Sequence, residues 1–376
     1  MKRKKTIPLL GYYPIVIIGV LLFTVALALL LSHNAAPQNI SPIKTINPGP
    51  SSSAPTTPAP AETDSVLFPY QSGGVWGYKN LRGEVAVAAS FDEASSFFGE
   101  VAFAGQRSNG SIQYGLIDRQ GRYSIQPAWD AWLPFNEQLA AIQKGNLWGY
   151  IDKSGQTVIP PAYEEAGPFC EGLALVKQGG RYGYIDKNGE TAIPFSYLKG
   201  RDFSEGKAFV CLNGESCNII IDQKGKVLFT LMGDGTHYKQ GLAAVAVDNK
   251  VYYLNTDYKI AFDITPPSQG QSFSEGLAAV RSGDNWGYAD QSGALIIQPS
   301  YEDALSFSSN LAAVKQNGKY GFIDKSGEIV LPFSYDAAQS FQSGYALVVQ
   351  DGKAGLIDEY GNFTFLYNTL SSNDDA

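Results

Sequence analysis

The sequence predicts an all-β protein built as a tandem repeat array of nine units. Three observations carry this. A five-residue element, aromatic–Gly–aromatic–Ile–Asp in its fullest form, recurs at intervals of about 34 residues, a period that belongs to solenoids, propellers and related arrays. The composition favours strands and turns, with 40 Gly, 22 Tyr and 20 Phe against 2 Met. Dipeptides suited to tight hairpins, such as Asn317-Gly318, fall between short apolar runs.

The chain opens on a basic tail (residues 1–10) that includes Lys2, Arg3, Lys4 and Lys5. An uncharged apolar stretch follows, and residues 11–32 are expected to form one transmembrane signal-anchor helix, since about 20 apolar residues span a bilayer core. The basic residues precede it, so the positive-inside rule places the N-terminus in the cytoplasm and the rest outside. A cleaved signal peptide is the alternative. Residues 33–65 hold seven Pro and nine Ser or Thr. Such a segment buries too little surface to offset its ordering entropy, and reads as a disordered spacer. The repeat domain is expected over 66–367, and 368–376 is a polar tail.

The repeat is exact enough to align by eye. Its fifth slot is filled by Asn80, Asp118, Asp152, Asp186, Asp222, Asn255, Asp290, Asp324 and Asp358. Three residues on stands Gly in every copy but the sixth, which has Tyr258. One unit runs as a short buried strand (Leu311 to Val314), a hairpin turn, a return strand (Tyr320 to Asp324), a turn started by Asp324 and closed by Gly327, and a third strand ended by Pro332. Each unit is thus a meander of three or four strands. Gly within the return strand marks a bulge or a close approach, and a ring from the neighbouring unit is the expected occupant.

These slots resemble the bacterial WG-repeat family. The Trp-Gly core stands at Trp76-Gly77, Trp148-Gly149 and Trp286-Gly287, with Tyr-Gly at 114, 182 and 320. The supporting Phe-x-Glu-Gly-Leu-Ala occurs at Phe169 to Ala174 and Phe273 to Ala278. The fifth and sixth copies depart, with Asn218-Ile219 and Val251-Tyr252. The resemblance implies a β-repeat architecture and is not associated with a catalytic constellation. Two architectures fit: an open solenoid or superhelix, which is the expectation because 34 residues is short for four strands with loops, or a closed propeller-like ring.

Charge and composition narrow the function. The net charge is −8 even with the basic tail included, so nucleic acid is not an expected partner. The only two His are His33 and His237, which excludes His-rich metal sites and leaves His237 alone to serve a Ser or Cys nucleophile. The recurrent Asp suits turns better than a calcium loop. The Glu137, Glu171, Glu205 and Glu275 slot could supply carboxylate pairs for glycoside cleavage, but copies that recur around an array serve packing. No catalytic, metal or cofactor residue is therefore assigned. Cys211 and Cys217 flank a turn and could form a cross-strand disulfide, with Cys170 a buried thiol. Trp76, Trp148 and Trp286 read as core, whereas Trp129 and Trp132 fall between strands and are the candidates for a ligand-facing surface. The expected function is non-catalytic binding or scaffolding at the cell envelope, with a membrane anchor and a protein or cell-wall glycan as partner. A wall hydrolase and a plain structural spacer are the rivals.

Overall fold

A computed structural model describes residues 66–368 apart from 109, 214–216, 265–267 and 343. The basic tail, the apolar segment 11–32, the spacer 33–65 and residues 369–376 lie outside the described residues. Among the described residues no helix is long and apolar enough to cross a membrane.

The described chain forms nine antiparallel sheets in sequence order, called blades here: blade 1 (67–91), 2 (93–129), 3 (131–163), 4 (165–197), 5 (199–230), 6 (234–264), 7 (268–301), 8 (303–335) and 9 (337–368). Eight of them have four strands, a to d, paired in chain order. In blade 2 these are Glu93–Ala94, Ala102–Ser108, Ser111–Ile117 and Tyr123–Trp129. Blade 1 has strands b to d alone among the described residues: Leu67–Ser72, Val75–Asn80 and Val85–Phe91.

The local chemistry accounts for each part. Strands b and c carry apolar residues on both faces because both are covered by neighbouring blades. Strand d alternates, as in Tyr123–Trp129, because it is the exposed edge. The c–d turn is held by the recurrent Asp: the Asp152 Oδ1 accepts from the backbone N–H of Ser154 (2.8 Å) and of Gln156 (3.0 Å), and Gly155 supplies a φ of +84°. The Ser154 hydroxyl and these N–H groups hold the Asp152 carboxyl below the usual range; Asp290 and Asp324 are held down by the same means.

The strand Gly has a different cause from the one expected. Strands c and d pair with a bulge, and the bulged d backbone lies directly over the Gly. A Cβ on Gly149 would stand 2.6 Å from Pro161 N and closer still to the Ile159 carbonyl oxygen. The occupant is the same blade's own backbone, not a neighbour's ring, and the bulge does not depend on Pro: Gly77 of blade 1 is covered in the same way by Val87 and Ala89, in a d strand without Pro.

The array closes into a ring, which corrects the open array expected. Nine apolar clusters are present among the described residues, and each joins two successive blades. Leu139, Ala141, Tyr150, Ile159 and Tyr163 of blade 3, for example, pack on Phe169, Ala174, Val176 and Ile185 of blade 4. The ninth cluster joins blade 9 (Leu347, Leu356, Leu366) to Phe68 of blade 1. At that seam Trp76 meets Tyr367 edge-on at 5.0 Å, and Phe68 meets Tyr345 at 6.2 Å. Four strands fit into 34 residues because strand a is generally only two residues long and starts one residue after the previous strand d, as at Asp92 between Phe91 and Glu93. No length is spent on a crossing loop.

Candidate functional site

The a edge of each blade, and the segment that leads from it to strand b, is where neighbouring blades touch at equivalent positions. The Ser204 hydroxyl donates to the Tyr238 carbonyl (2.7 Å), Ser274 to Phe307 (2.7 Å), Ser272 to His237 (3.3 Å) and Ser340 to Ser306 (3.3 Å). In a ring of radiating sheets, neighbours are closest at the axis, so these edges face the axis and the d strands face outward. Third-slot Tyr rings tie the same edge to the preceding blade: the hydroxyls of Tyr78, Tyr150 and Tyr184 each donate at 2.8 Å to the carbonyls of Ser95, Gly167 and Arg201. These rings are buried, and each hydroxyl has its partner, which is what a buried Tyr requires.

The Glu slot forms a second circle of clasps. Glu137, Glu171, Glu205 and Glu275 all sit at positive φ, between 47° and 54°. Each carboxylate reaches the next blade: Glu137 accepts from Gly172 N (3.0 Å), Glu171 from Glu205 N (2.6 Å) and Gly206 N (2.9 Å), Glu205 from Gly241 N (2.9 Å), and Glu275 from Asn310 N (2.9 Å). In blade 6 Gln240 takes the slot and accepts from Gly276 N at 3.0 Å. Burial pushes the Glu137 carboxyl up, but the Lys187 ammonium at 3.0 Å and the Gly172 N–H outweigh it and hold it below the usual range. These carboxylates are occupied as acceptors for turns. They are not arranged as an acid and a base across an open cleft.

The axial slot just before the Phe is where the copies differ most in chemistry: Ser96, Pro134, Pro168, Asp202, His237, Ser272, Ser306 and Ser340. Asp202 and His237 occupy it in blades 5 and 6, and Cys170 and Lys239 stand two positions on, just after the aromatic, in blades 4 and 6. Burial raises the Asp202 carboxyl to about 6. Burial, then Arg201 and Lys239, lowers the His237 imidazole. Burial, then Asp202 and Glu137, pushes the Cys170 thiol up to about 12, so it stays protonated at neutral pH. Asn136 Nδ2 lies 3.6 Å from the Cys170 sulfur, and no hydrogen bond joins the His237 ring to a hydroxyl or thiol among the described residues. The structure brings no nucleophile–base pair together there. Nor do three or more metal-ligating side chains converge among the described residues. The contrast of Asp202 and His237 with the Ser and Pro of the other copies is the signal in the sequence for this axial cluster, of which His237 and Cys170 stand out by residue type alone.

The candidate residues fall as follows. Trp129 and Trp132 are buried (7% and 8% exposed) and are not a ligand surface. Trp129 ends strand d in the slot of Tyr163 and Tyr197, and Trp132 lies in the two-residue strand a, stacked on Phe103 at 4.3 Å. The segment looked like a connection because so short a strand shows no alternation. Trp76, Trp148 and Trp286 pack against the inter-blade clusters. Cys211 and Cys217 are buried in one cluster between blades 5 and 6, and neither they nor the half-buried Cys170 are joined in a disulfide.

The ring of nine such blades agrees with a comparison of sequences. The family model described as "WG containing repeat" matches residues 76–108, 114–148, 148–182, 182–215, 286–320 and 320–353, more than half of the chain. The chain belongs to the WG-repeat family. Residues 216–285, which hold the end of blade 5, all of blade 6 and the start of blade 7, escape these matches, in keeping with the lost aromatic-Gly pairs at 218 and 251. No curated protein matches this WG-repeat chain. Among solved structures it is similar to a eukaryotic initiation factor at 14% identity and a TM-score of 0.52, over 70% of this chain and 83% of that one, which is a likeness of fold alone. It also matches BamB from Moraxella catarrhalis at 11% identity and a TM-score of 0.40, over 75% of this chain and 95% of that one.

Proposed function

We propose that this WG-repeat propeller is a non-catalytic binding or scaffolding module that works at the cell envelope, held at the membrane by residues 11–32 and spaced from it by 33–65. The observation that carries the reading is the employment of the recurrent polar groups. The Asp turns, the Glu clasps and the Tyr hydroxyls all hold backbone, within a blade or across to the next, and the axial thiol and imidazole are unpaired with each other. What such a ring offers is surface: two broad faces of turns and a rim of exposed d strands, suited to recognition by a macromolecule. The partner class is an envelope protein or a cell-wall glycan. The full chain, mixed in parallel with purified wall sacculi and with solubilised membrane proteins, tests the reading. Stoichiometric retention by either supports it. Retention by neither, or turnover of the wall glycan during the incubation, would sink it.

A further inference from the structure

A function carried by one place on a repeat array needs residues that depart from the repeat. The rim of blade 9 has them. Strand d carries Pro in five blades (Pro127, Pro161, Pro194, Pro299, Pro332), which is how an exposed edge is protected from pairing. The last strand, Phe363–Asn368, shares the lack of Pro with those of blades 1, 5 and 6, and differs from them in reading FTFLYN, with two Phe separated by one residue. Phe363 and Phe365 are 37% and 39% exposed. They line a groove of about 570 Å³ together with Gln350, Asp351, Lys353 and Asn368, a volume within the range of small-ligand sites. The groove abuts the closing seam. Lys79 of blade 1, in a slot that holds Ile in most other blades, lies 5.8 Å from the Phe365 ring and 4.6 Å from the Tyr70 ring.

We propose that this groove is a saccharide-binding subsite, a reading that rests on the binding role above and gives it an address. Two exposed rings offer flat apolar faces to the C–H side of a pyranose. Around them stand two amides, a carboxylate and an ammonium, donors and acceptors of both signs that match hydroxyl and acetamido groups without selecting for a charged ligand. An extended peptide added to the edge would be read through backbone pairing, and would make little use of four polar side chains gathered at one end of the strand.

The test uses the full chain and two defined probes, the tetramer of N-acetylglucosamine and cellotetraose, titrated by calorimetry. Saturable binding of at least one is expected. It should weaken at least tenfold in Phe363→Ala and in Gln350→Ala. The Phe363 ring also covers Gly355, so Gln350→Ala, a surface truncation with an unchanged melting temperature, keeps the test open if Phe363→Ala folds poorly. Absence of binding to both sugars would overturn the proposal. So would equal affinity in wild type and both variants, or competition for the groove by an extended apolar peptide with no sugar effect. Sacculus retention that survives in both variants would reject this groove and leave the broader binding role standing.

Discussion

The interface between blades 3 and 4 and the seam between blades 9 and 1 do the same job with different residues. At the regular interface Phe169, near the end of strand a (Glu165–Cys170), plugs the space against Tyr150 at 4.8 Å, with Ala174 and Ile185 beside it. Nine buried side chains make up that cluster. At the seam no strand a and no plug are present among the described residues, and four buried side chains remain. Phe68 stands in the slot that is Ala in blades 2 to 9, Leu356 stands in the third-aromatic slot, and Lys79 replaces Ile. Among the described residues, point substitutions at the joining ends thus fill from strand b the place that the plug takes elsewhere. The ring closes by side-chain packing between blades 9 and 1, and among the described residues this interface is the thinner one.

The largest expected effect compares the two plugs. Phe169→Ala should cost about 3–5 kcal/mol, the usual range for a buried Phe, and lower the melting temperature of the whole ring. Phe68→Ala should instead act locally. Amide exchange should speed up in strands b of blade 1 and d of blade 9 while blades 3 and 4 keep their protection. Equal acceleration everywhere would erase the distinction between seam and regular interface.

Gly149→Val attacks the regular blade from inside. The bulged backbone over Gly149 leaves no room for a Cβ, so a loss of about 3 kcal/mol or more is expected by denaturant titration. An unchanged midpoint would mean that the bulge is not where the structure puts it.

The pH response separates the axis from the seam. Asp202 has its folded-state pKa raised, from 3.8 to about 6, by burial. The fold therefore holds its proton more tightly than the unfolded chain does, and stability from this group falls as pH rises between those two values. Asp202→Asn should raise stability by on the order of 3 kcal/mol at pH 7 and by only about 0.5 kcal/mol at pH 4. A gain of equal size at both pH values would show that ionisation is not the cause.

The smallest effect concerns the turns. Asp152 holds its turn in blade 3. Asn80 holds the corresponding turn in blade 1 with the same geometry, accepting from Arg82 N and Glu84 N at 3.0 Å. Asp152→Asn should cost a few tenths of a kcal/mol, and Asp152→Ala about 1 kcal/mol, as for a lost cap. The order of the two is the check: if Asn costs as much as Ala, the side-chain oxygen is not what holds the turn.

Most of the fold was legible in the sequence because its causes are local and repeated nine times. The Asp–Gly turns, the hairpin dipeptides and the Gly under the bulge each announce themselves in every regular copy. Closure was not legible. It depends on contact between residues about 290 positions apart, Trp76 with Tyr367, and single departures such as Phe68 and Lys79 look like noise against the repeat. Trp129 and Trp132 were misplaced for a related reason: a two-residue strand has no periodicity to read, so a buried edge resembled a loop. The Glu slot was recognised as structural, but its partner, the turn of the next blade, could not be named without the ring. The chemistry of Asp202 comes from burial at the axis, and its one trace in the sequence is that it departs from the Ser and Pro of most other copies.

Ring closure is the central claim, and a double-mutant cycle on Trp76 and Tyr367 tests it most directly. The two rings lie at opposite ends of the described chain and share only the seam. With Trp76→Ala, Tyr367→Ala and the double variant unfolded by denaturant, closure predicts a coupling energy of about 1 kcal/mol for the edge-on pair. Strict additivity of the two single losses would mean that the ends do not meet, and that the blades form an open array.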